Sequence, residues 1–322
     1  MKRRLLLIIF SLLITTQLIA GPRWRSFINW VDSADIAGAD TSYVRWPKQD
    51  LIASINSKIT SSTLHVHYHY PSEYGDLSYD GSATAELQTP ISLSLAYRGW
   101  GVSYSRNFEK NVDDEFSFST CGRKYGAELR YQHSHSYSGT IEDDMGYQED
   151  IDIQPGDITQ ELYYANVYYV FNSKRFSLPA ALLQTVIQRR SAGSWLAAIN
   201  FQRNILNFQD IPFYKVTSTK ISLGGGYAYN WAFAKEKCLL HASIMPLLNV
   251  YNHNSIYSDT GKEAATESIS LNGNIHLSFV YNVSRYVMGA SNIYYLSWQN
   301  LSDRIAVVDL NWSSRLFIGV RF

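Results

Sequence analysis

The feature that most constrains this chain is a two-residue alternation of apolar and polar side chains that holds phase over long stretches. Between Ser268 and Asn282, residues Ile269, Leu271, Ile275, Leu277, Phe279 and Tyr281 share one face, while Ser270, Asn272, Asn274, His276 and Ser278 share the other. From Lys220 to Phe233 the pattern repeats, with Ile221, Leu223, Tyr227, Tyr229, Trp231 and Phe233 opposite Lys220, Ser222, Gly224, Gly226 and Asn230. The last run sets Val308, Leu310, Trp312, Leu316, Ile318, Val320 and Phe322 against Asp309, Asn311, Ser313, Arg315, Gly319 and Arg321. Successive side chains of a strand point to opposite faces, so a period of two marks strands with one apolar and one polar surface. A soluble sandwich also alternates, but ordinary strands average about five or six residues, and several of these runs are more than twice that. Long strands with one lipid-compatible face predict an all-β fold, a transmembrane antiparallel β-barrel.

Twelve such segments are expected, within a range of 10–14: roughly 51–70, 85–97, 100–108, 115–121, 124–139, 159–172, 193–206, 215–233, 238–251, 266–282, 286–298 and 305–322. The connections 71–84, 109–114, 140–158, 207–214, 252–265 and 299–304 are then mostly long. The alternate ones, at Arg98-Gly99, Gly122-Arg123, Ala234-Lys235-Glu236 and Val283-Ser284-Arg285, are tight. Short periplasmic turns and longer outside loops are the asymmetry of outer-membrane barrels, which places both termini in the periplasm. Three places depart from the pattern. The apolar parity of the first strand flips from Leu51, Ala53, Ile55 and Ile59 to Leu64, Val66 and Tyr68, which predicts a bulge near Thr60-Ser61-Ser62. Pro246, which lacks an N–H, calls for a bulge inside the ninth strand. The connection 173–192 is long for a periplasmic turn, and Pro179 to Gln188 predicts a short helix tucked under or into the barrel.

The N-terminus reads MKRRLLLIIFSLLITTQLIA, a basic start, a short apolar stretch and a small residue at Ala20. This predicts a cleaved signal peptide over 1–20, too short in its apolar core for a comfortable membrane span. Residues 21–50 follow as a periplasmic segment whose Trp24, Phe27, Trp30 and Trp46 are too aromatic for an idle linker, and 51–322 form the barrel. The chain carries 28 Lys+Arg and 28 Asp+Glu. Removing Lys2, Arg3 and Arg4 with the signal leaves a mildly acidic protein, which argues against nucleic-acid binding. Cys121 and Cys238 are the only thiols. Two isolated cysteines leave pairing open and make no disulfide scaffold.

Aromatic residues gather near strand ends. Tyr97, Trp100, Tyr125, Phe171, Trp195, Trp231, Phe233, Tyr281 and Phe322 map to one rim, and Tyr68, Tyr70, Tyr137, Tyr163 and Trp298 to the other. Two girdles at the headgroup level are the expected arrangement in a bilayer. An alternating strand ending in Phe322 resembles the C-terminal signal read by the barrel-assembly machinery, an implied partner alongside outer-membrane lipid and lipopolysaccharide.

Several stretches carry a family resemblance: Asp40-Thr-Ser-Tyr-Val44, Tyr97-Arg-Gly-Trp-Gly-Val-Ser-Tyr104, Gly122-Arg-Lys-Tyr-Gly126, Tyr169-Val-Phe-Asn-Ser-Lys-Arg-Phe-Ser177 and Ser191-Ala-Gly-Ser-Trp195. They resemble a Bacteroidota family known only as a domain of unknown function, over nearly the whole mature chain and most specifically over 169–195. The resemblance implies an outer-membrane barrel and brings no catalytic residues or cofactor.

Among residues that carry chemistry, His65, His67 and His69 lie on one strand face about 7 Å apart, a weak metal candidate without local carboxylates or thiols. Glu142, Asp143, Asp144, Glu149, Asp150, Asp152 and Asp157 crowd one loop without the spacing of a calcium site, so a solvated loop is expected. His241 with Ser243, and His276 with Ser278, are pairs on polar faces. Lipase-like barrels act from the lipid side, whereas these pairs face inward, where polar residues are required anyway; a lipid or lipopolysaccharide hydrolase is therefore only the alternative function. Gly224-Gly225-Gly226 has no following helix and is no phosphate loop; close approach or a barrel corner accounts for it. The polar candidates for the lumen are Arg98, Glu128, Arg130, Lys220, His276, Asp309, Arg315 and Arg321, of mixed sign and hence without strong ion selectivity. Twelve strands enclose more than the eight-stranded barrels that side chains fill, and less than a porin. A non-enzymatic narrow channel, small-solute transporter or structural surface protein is therefore expected, with no cofactor. A soluble periplasmic ligand-binding protein is the remaining alternative.

Overall fold

The computed structural model describes residues 38–70, 77–85, 87–108, 113–134, 137–141, 156–209, 213–258, 261–266, 270–302 and 305–322. The expected signal peptide, residues 21–37 and most of the acidic loop lie outside the described residues. In chain order the strands are β1 (Val44–Arg45), β2 (Leu51–Tyr70), β3 (Leu77–Ala85), β4 (Ile91–Tyr97), β5 (Trp100–Arg106), β6 (Asp114–Cys121), β7 (Tyr125–Ser134), β8 (Tyr137–Ile141) and β9 (Ile158–Val170). A five-residue helix α1 (Leu178–Leu182) and β10 (Ile187–Gln188) precede β11 (Ala192–Phe208), β12 (Phe213–Phe233), β13 (Cys238–Ser258), β14 (Gly261–Thr266), β15 (Ser270–Val283), β16 (Tyr286–Ser302) and β17 (Ile305–Arg321).

Twelve strands close a ring in the order β2, β4, β5, β6, β7, β9, β11, β12, β13, β15, β16 and β17, all antiparallel. The seam is β17 on β2, in unbroken register from Ile305 opposite Tyr68 to Arg321 opposite Ile52. Beyond it, Phe322 N–H donates to Leu51 O at 2.8 Å. Closure matters because an unpaired backbone group in hydrocarbon costs several kcal/mol.

The distribution of side chains is the reverse of a water-soluble barrel. Leu93, Trp195 and Leu316 on the outer face are 63%, 65% and 65% exposed, whereas Asn200, Ser222, Asn230 and His241 inside are buried. An apolar surface of that extent is stable only against lipid or a partner. The expected aromatic rim at the short-turn end is present, with Tyr125, Phe171, Trp195, Trp231, Phe233 and Phe322 all exposed. No helix among the described residues is long and apolar enough to span a membrane.

Both ends of the ring, Leu51 and Arg321, meet at the end that carries the tight turns. At Arg98-Gly99 the chain reverses in two residues, with φ of 42° and 85°, the left-handed pair that suits the twist of a hairpin. Arg98 therefore does not face the lumen, as its parity suggested. It occupies this turn, and its Nε donates to Asp50 Oδ2 at 2.7 Å.

Four strand expectations are corrected. β2 has no bulge at Thr60-Ser61-Ser62, because its register with β17 is continuous. The apparent flip of parity arises because the outward positions there are Ser61, Thr63, His65 and His67, opposite Trp312, Leu310, Val308 and Ala306 of β17. The connection 71–84 contains β3, which pairs with the outer part of β2 (Thr63 opposite Thr84) and carries β8 on its far edge. The ring strand β4 starts at Ile91 rather than near 85, since Pro90 has no N–H to donate and only its carbonyl joins the ladder, accepting from Lys58 N at 3.0 Å. Likewise, β13 runs on to Ser258 and β14 folds back upon it, where a loop was expected over 252–265.

The bulge expected at Pro246 is displaced. The β12–β13 register shifts between Ile221 and Ser222, which leaves Val250 unpaired. At Pro246 itself the two strands stay in phase but cross very closely. A Cβ on Gly224 would lie 2.2 Å from Pro246 O, and one on Gly226 1.9 Å from Ile244 O. The glycine run is thus the close approach read from the sequence, set against the one residue of β13 that lacks a donor.

Candidate functional site

The short-turn end of the barrel is filled by its own chain. Ser177 caps α1, its Oγ accepting from Ala180 N at 3.4 Å, and Pro179 starts the helix as expected. The helix ends at Leu182 instead of running to Gln188. Gln184 adopts φ 58°, and its amide donates back to Ala181 O at 2.9 Å, which stops the helical ladder. The following β10 pairs with β1 from the N-terminal segment, Val44 opposite Gln188 and Arg45 opposite Ile187. The two segments together make a plug inside the barrel. Phe176, Leu178, Ala180, Ala181 and Val186 are buried against wall residues such as Leu196, Ala228, Leu239, Val280 and Phe317.

Polar contacts place this plug with more precision than apolar burial alone would. Gln188, 2% exposed, is the hub. Its Nε2 donates to Arg175 O at 2.6 Å and to Arg190 O at 2.9 Å, and its Oε1 accepts from Ser177 N at 3.0 Å. From the wall, Asn230 Nδ2 donates to Ser177 O at 2.8 Å and to Gln188 Oε1 at 3.2 Å. With its nitrogen so engaged, Asn230 presents Oδ1 to His241 Nδ1 at 2.7 Å, so that imidazole nitrogen is the donor. Arg321, on the last strand, donates to Gln184 O at 3.0 Å and to Asn282 Oδ1 at 2.6 Å. At the rim, Glu236 in the β12–β13 turn accepts from Arg45 at 2.9 Å and Arg189 at 2.7 Å, one arginine from each plug segment. Partial desolvation pulls the Glu236 carboxyl upward, but the hydrogen bonds from Arg189 and Arg45 outweigh it and leave the group below its usual range.

Above the plug the lumen is divided by a layer of charged and aromatic side chains. Lys58 Nζ on β2 meets Glu115 Oε2 on β6 at 2.7 Å. Arg130 on β7 lies 4.6 Å from the ring centre of Tyr164 and 5.5 Å from that of Tyr295. Its Nη2 donates to Tyr295 Oη at 3.5 Å. Arg315, beside Phe317, donates to Ser291 Oγ at 3.2 Å. The chamber between this waist and the plug holds about 1300 Å³, counting space open to solvent, and is floored by Leu182, Leu183 and Gln184. The chamber on the long-loop side holds about 1120 Å³ on the same measure, and carboxamides and hydroxyls line it together with Leu162 and Leu247.

Of the lumen residues expected from parity, Glu128, Arg130, Lys220, His276, Asp309, Arg315 and Arg321 all occupy inward positions, and only Arg98 does not. Reading polarity missed Tyr164, Tyr295 and Gln188. Tyr295 was legible in one respect, since Tyr294-Tyr295 must put one phenol on each face of a strand. His65 and His67 share outward parity with Ile55 and Ile59 and are exposed; the side chain of His69 lies outside the described residues. No cluster of three metal-ligating side chains occurs among the described residues. Cys121, which accepts from Tyr168 Oη at 2.7 Å, and Cys238, at the start of β13, are not joined by a disulfide.

A closed ring of twelve antiparallel strands, apolar outside and polar within, is a transmembrane β-barrel of the outer-membrane type. The chain belongs to the family described as a domain of unknown function (DUF4421), which it matches over residues 38–322. No functionally curated protein matches it in sequence. Among solved structures it is similar to the translocator domain of the autotransporter NalP from Neisseria meningitidis, at 11% identity and a TM-score of 0.34 over 96% of this chain and 97% of that one. It is similar to the β-domain of the Bordetella autotransporter BrkA at 13% identity and a TM-score of 0.33, over 83% and 100% of the two chains. The Pseudomonas putida toluene transporter TodX matches at 9% identity and a TM-score of 0.33, over 86% and 91%. Likeness at this level assigns no activity.

Proposed function

We propose that this protein is a non-enzymatic outer-membrane channel of narrow bore for small solutes, closed in this conformation at the waist and at the plug. The observation that carries the reading is the division of one polar lumen into two chambers by side chains that meet across it. A barrel with a purely structural role has no need of open chambers above and below a single layer. Placing the tight turns and both chain ends in the periplasm, as outer-membrane barrels do, makes the plug a periplasmic closure and the amide-walled chamber the outer entrance. Phe322, exposed at the end of the strand that closes the ring, is suited to recognition by the assembly machinery, and export through a cleaved signal peptide fits the same location. Single-channel recording in a planar bilayer tests the reading. Rare, small openings in the wild type and larger, longer ones in Arg130→Ala support it; silence in the wild type, in Arg130→Ala and in a chain lacking residues 38–46 would leave only the structural role.

A second reading, an enzyme acting on lipid or lipopolysaccharide, draws on two cross-strand pairs, His241 opposite Ser278 and Ser243 opposite His276. Both histidines face inward, His241 beside Phe176 of the plug and His276 beside His241 in the chamber wall, so a lipid substrate would have to enter the lumen. Lipid turnover by the folded protein that is lost in His276→Ala would favour it.

A further inference from the structure

We propose that the chamber on the long-loop side is a binding site for a neutral, polyhydroxylated solute of the sugar class. The proposal deepens the solute-channel reading by naming the solute class, and it rests on that reading for the solute's route.

The wall carries the argument. Gln88, Gln132, Gln160, Gln202, Asn274 and Asn311 line one chamber. A carboxamide sets a donor beside an acceptor, and each hydroxyl of a polyol both donates and accepts, so vicinal hydroxyls match amides in pairs. Gln88, Gln202 and Asn274 make no side-chain hydrogen bond to other described residues and keep this capacity free. Asn272 adds an oriented acceptor. Its Nδ2 is committed to Asn249 Oδ1 at 2.7 Å and Ser222 Oγ at 3.3 Å, which leaves a buried Oδ1 without a protein partner.

The charges near this chamber are already compensated within the wall. Lys58 is paired with Glu115. Asp309 lies in the field of Lys220 and accepts from Asn311 Nδ2 at 2.7 Å and from Ser62 Oγ at 3.4 Å. Arg130 is held between Tyr164 and Tyr295, with Glu128 supplying the opposite charge. An ionic solute would lose hydration here without gaining an uncompensated counter-charge, and an apolar solute would strand the amides. A neutral polyol satisfies them.

The test is titration calorimetry on the full-length protein, purified folded in detergent, with maltose, gluconate, glucosamine and glycylglycine as probes. Maltose should bind, with the two ionic sugars and the dipeptide about tenfold weaker or silent. Asn274→Leu, close to isosteric, and Gln202→Leu, slightly shorter, should each weaken maltose about tenfold. Heat-dependent gel mobility verifies that each variant remains folded, and the wild-type selectivity series stands even if one does not. Absence of maltose binding, equal binding of gluconate, or full maltose affinity in both folded leucine variants overturns the proposal. Maltose binding without any conductance upholds this site and sinks the channel reading. Conductance without maltose binding sinks the site alone.

Discussion

The guanidinium of Arg130 on β7 reaches the hydroxyl of Tyr295 on β16, six strands away around a ring of twelve, so that one contact bridges the barrel between opposite walls. Tyr164, the cross-strand partner of Arg130 on β9, packs under the same cation. The inner diameter at this level is therefore set by two side chains rather than by the backbone.

Shortening Arg130 to alanine should join the two chambers above the plug. A stacked cation–π contact contributes about 1–2 kcal/mol where it is desolvated, a modest loss for a closed barrel, so the variant is expected to fold. Conductance measured in a bilayer should rise in Arg130→Ala and change less in Tyr295→Phe, which keeps the ring and removes only the hydroxyl.

Gln188 joins two plug segments, and Asn230 fastens them to the wall. Gln188→Ala leaves Ser177 N–H and the carbonyls of Arg175 and Arg190 without this partner, at about 1–3 kcal/mol for each group left buried and unpaired. The plug should loosen while the ring stays closed. Limited proteolysis within 173–192 should accelerate in Gln188→Ala, whereas heat-dependent gel mobility remains. Acceleration in Asn230→Ala but none in Gln188→Ala would contradict the hub assignment.

The plug should also loosen in acid. Glu236 has its carboxyl below the usual value of 4.5 in the folded state. Its contribution is complete above the unfolded value and is lost as pH falls through the lowered folded one. The two arginines and the glutamate are partly exposed, so the effect is at most about 1 kcal/mol. Proteolytic nicking of the plug, followed from pH 6 down to pH 3 with an acid-active protease, should increase at the acid end in the wild type. In Glu236→Gln it should be raised throughout and lose that part of its pH dependence.

Adjacent glycines on β12 should respond in opposite ways. A side chain on Gly226 would meet the backbone of Ile244 at 1.9 Å, while one on Gly225 would meet Leu196 O at 3.0 Å on the outer face. Gly226→Ala is expected to cost about 1–3 kcal/mol or more through backbone displacement, and Gly225→Ala much less. The temperature at which the compact band converts to the unfolded one on a gel should fall for the first and barely move for the second.

The strands of this barrel were legible because lipid and lumen impose opposite demands on adjacent residues, and alternation records that demand locally. The faces of β12, β15 and β17 follow from it, as do the tight turns at Arg98-Gly99 and Ala234-Lys235-Glu236. The local rule misled where another requirement took over. His65 and His67 lie on the outward face because β2 keeps one register with β17 throughout, a matter of pairing between strands at opposite ends of the chain. Arg98 has lumen parity but belongs to a turn, where parity no longer applies. The helix Leu178–Leu182 stops after five residues because Gln184 turns left-handed and its amide binds the last turn, a choice tied to the pairing of β10 with β1.

What the sequence determined by itself was the class of structure. Period-two patterning, long runs and short turns on alternate connections leave little but a membrane barrel of about twelve strands. Whether its lumen is open was decided only by the tertiary structure. Lys58 and Glu115, Arg130 and Tyr295, and Gln188 and Asn230 are far apart in sequence and come from different strands or segments, so nothing local marks them as partners. Ring closure brings these walls within reach of one side chain, and at that distance the polar groups meant for water find each other.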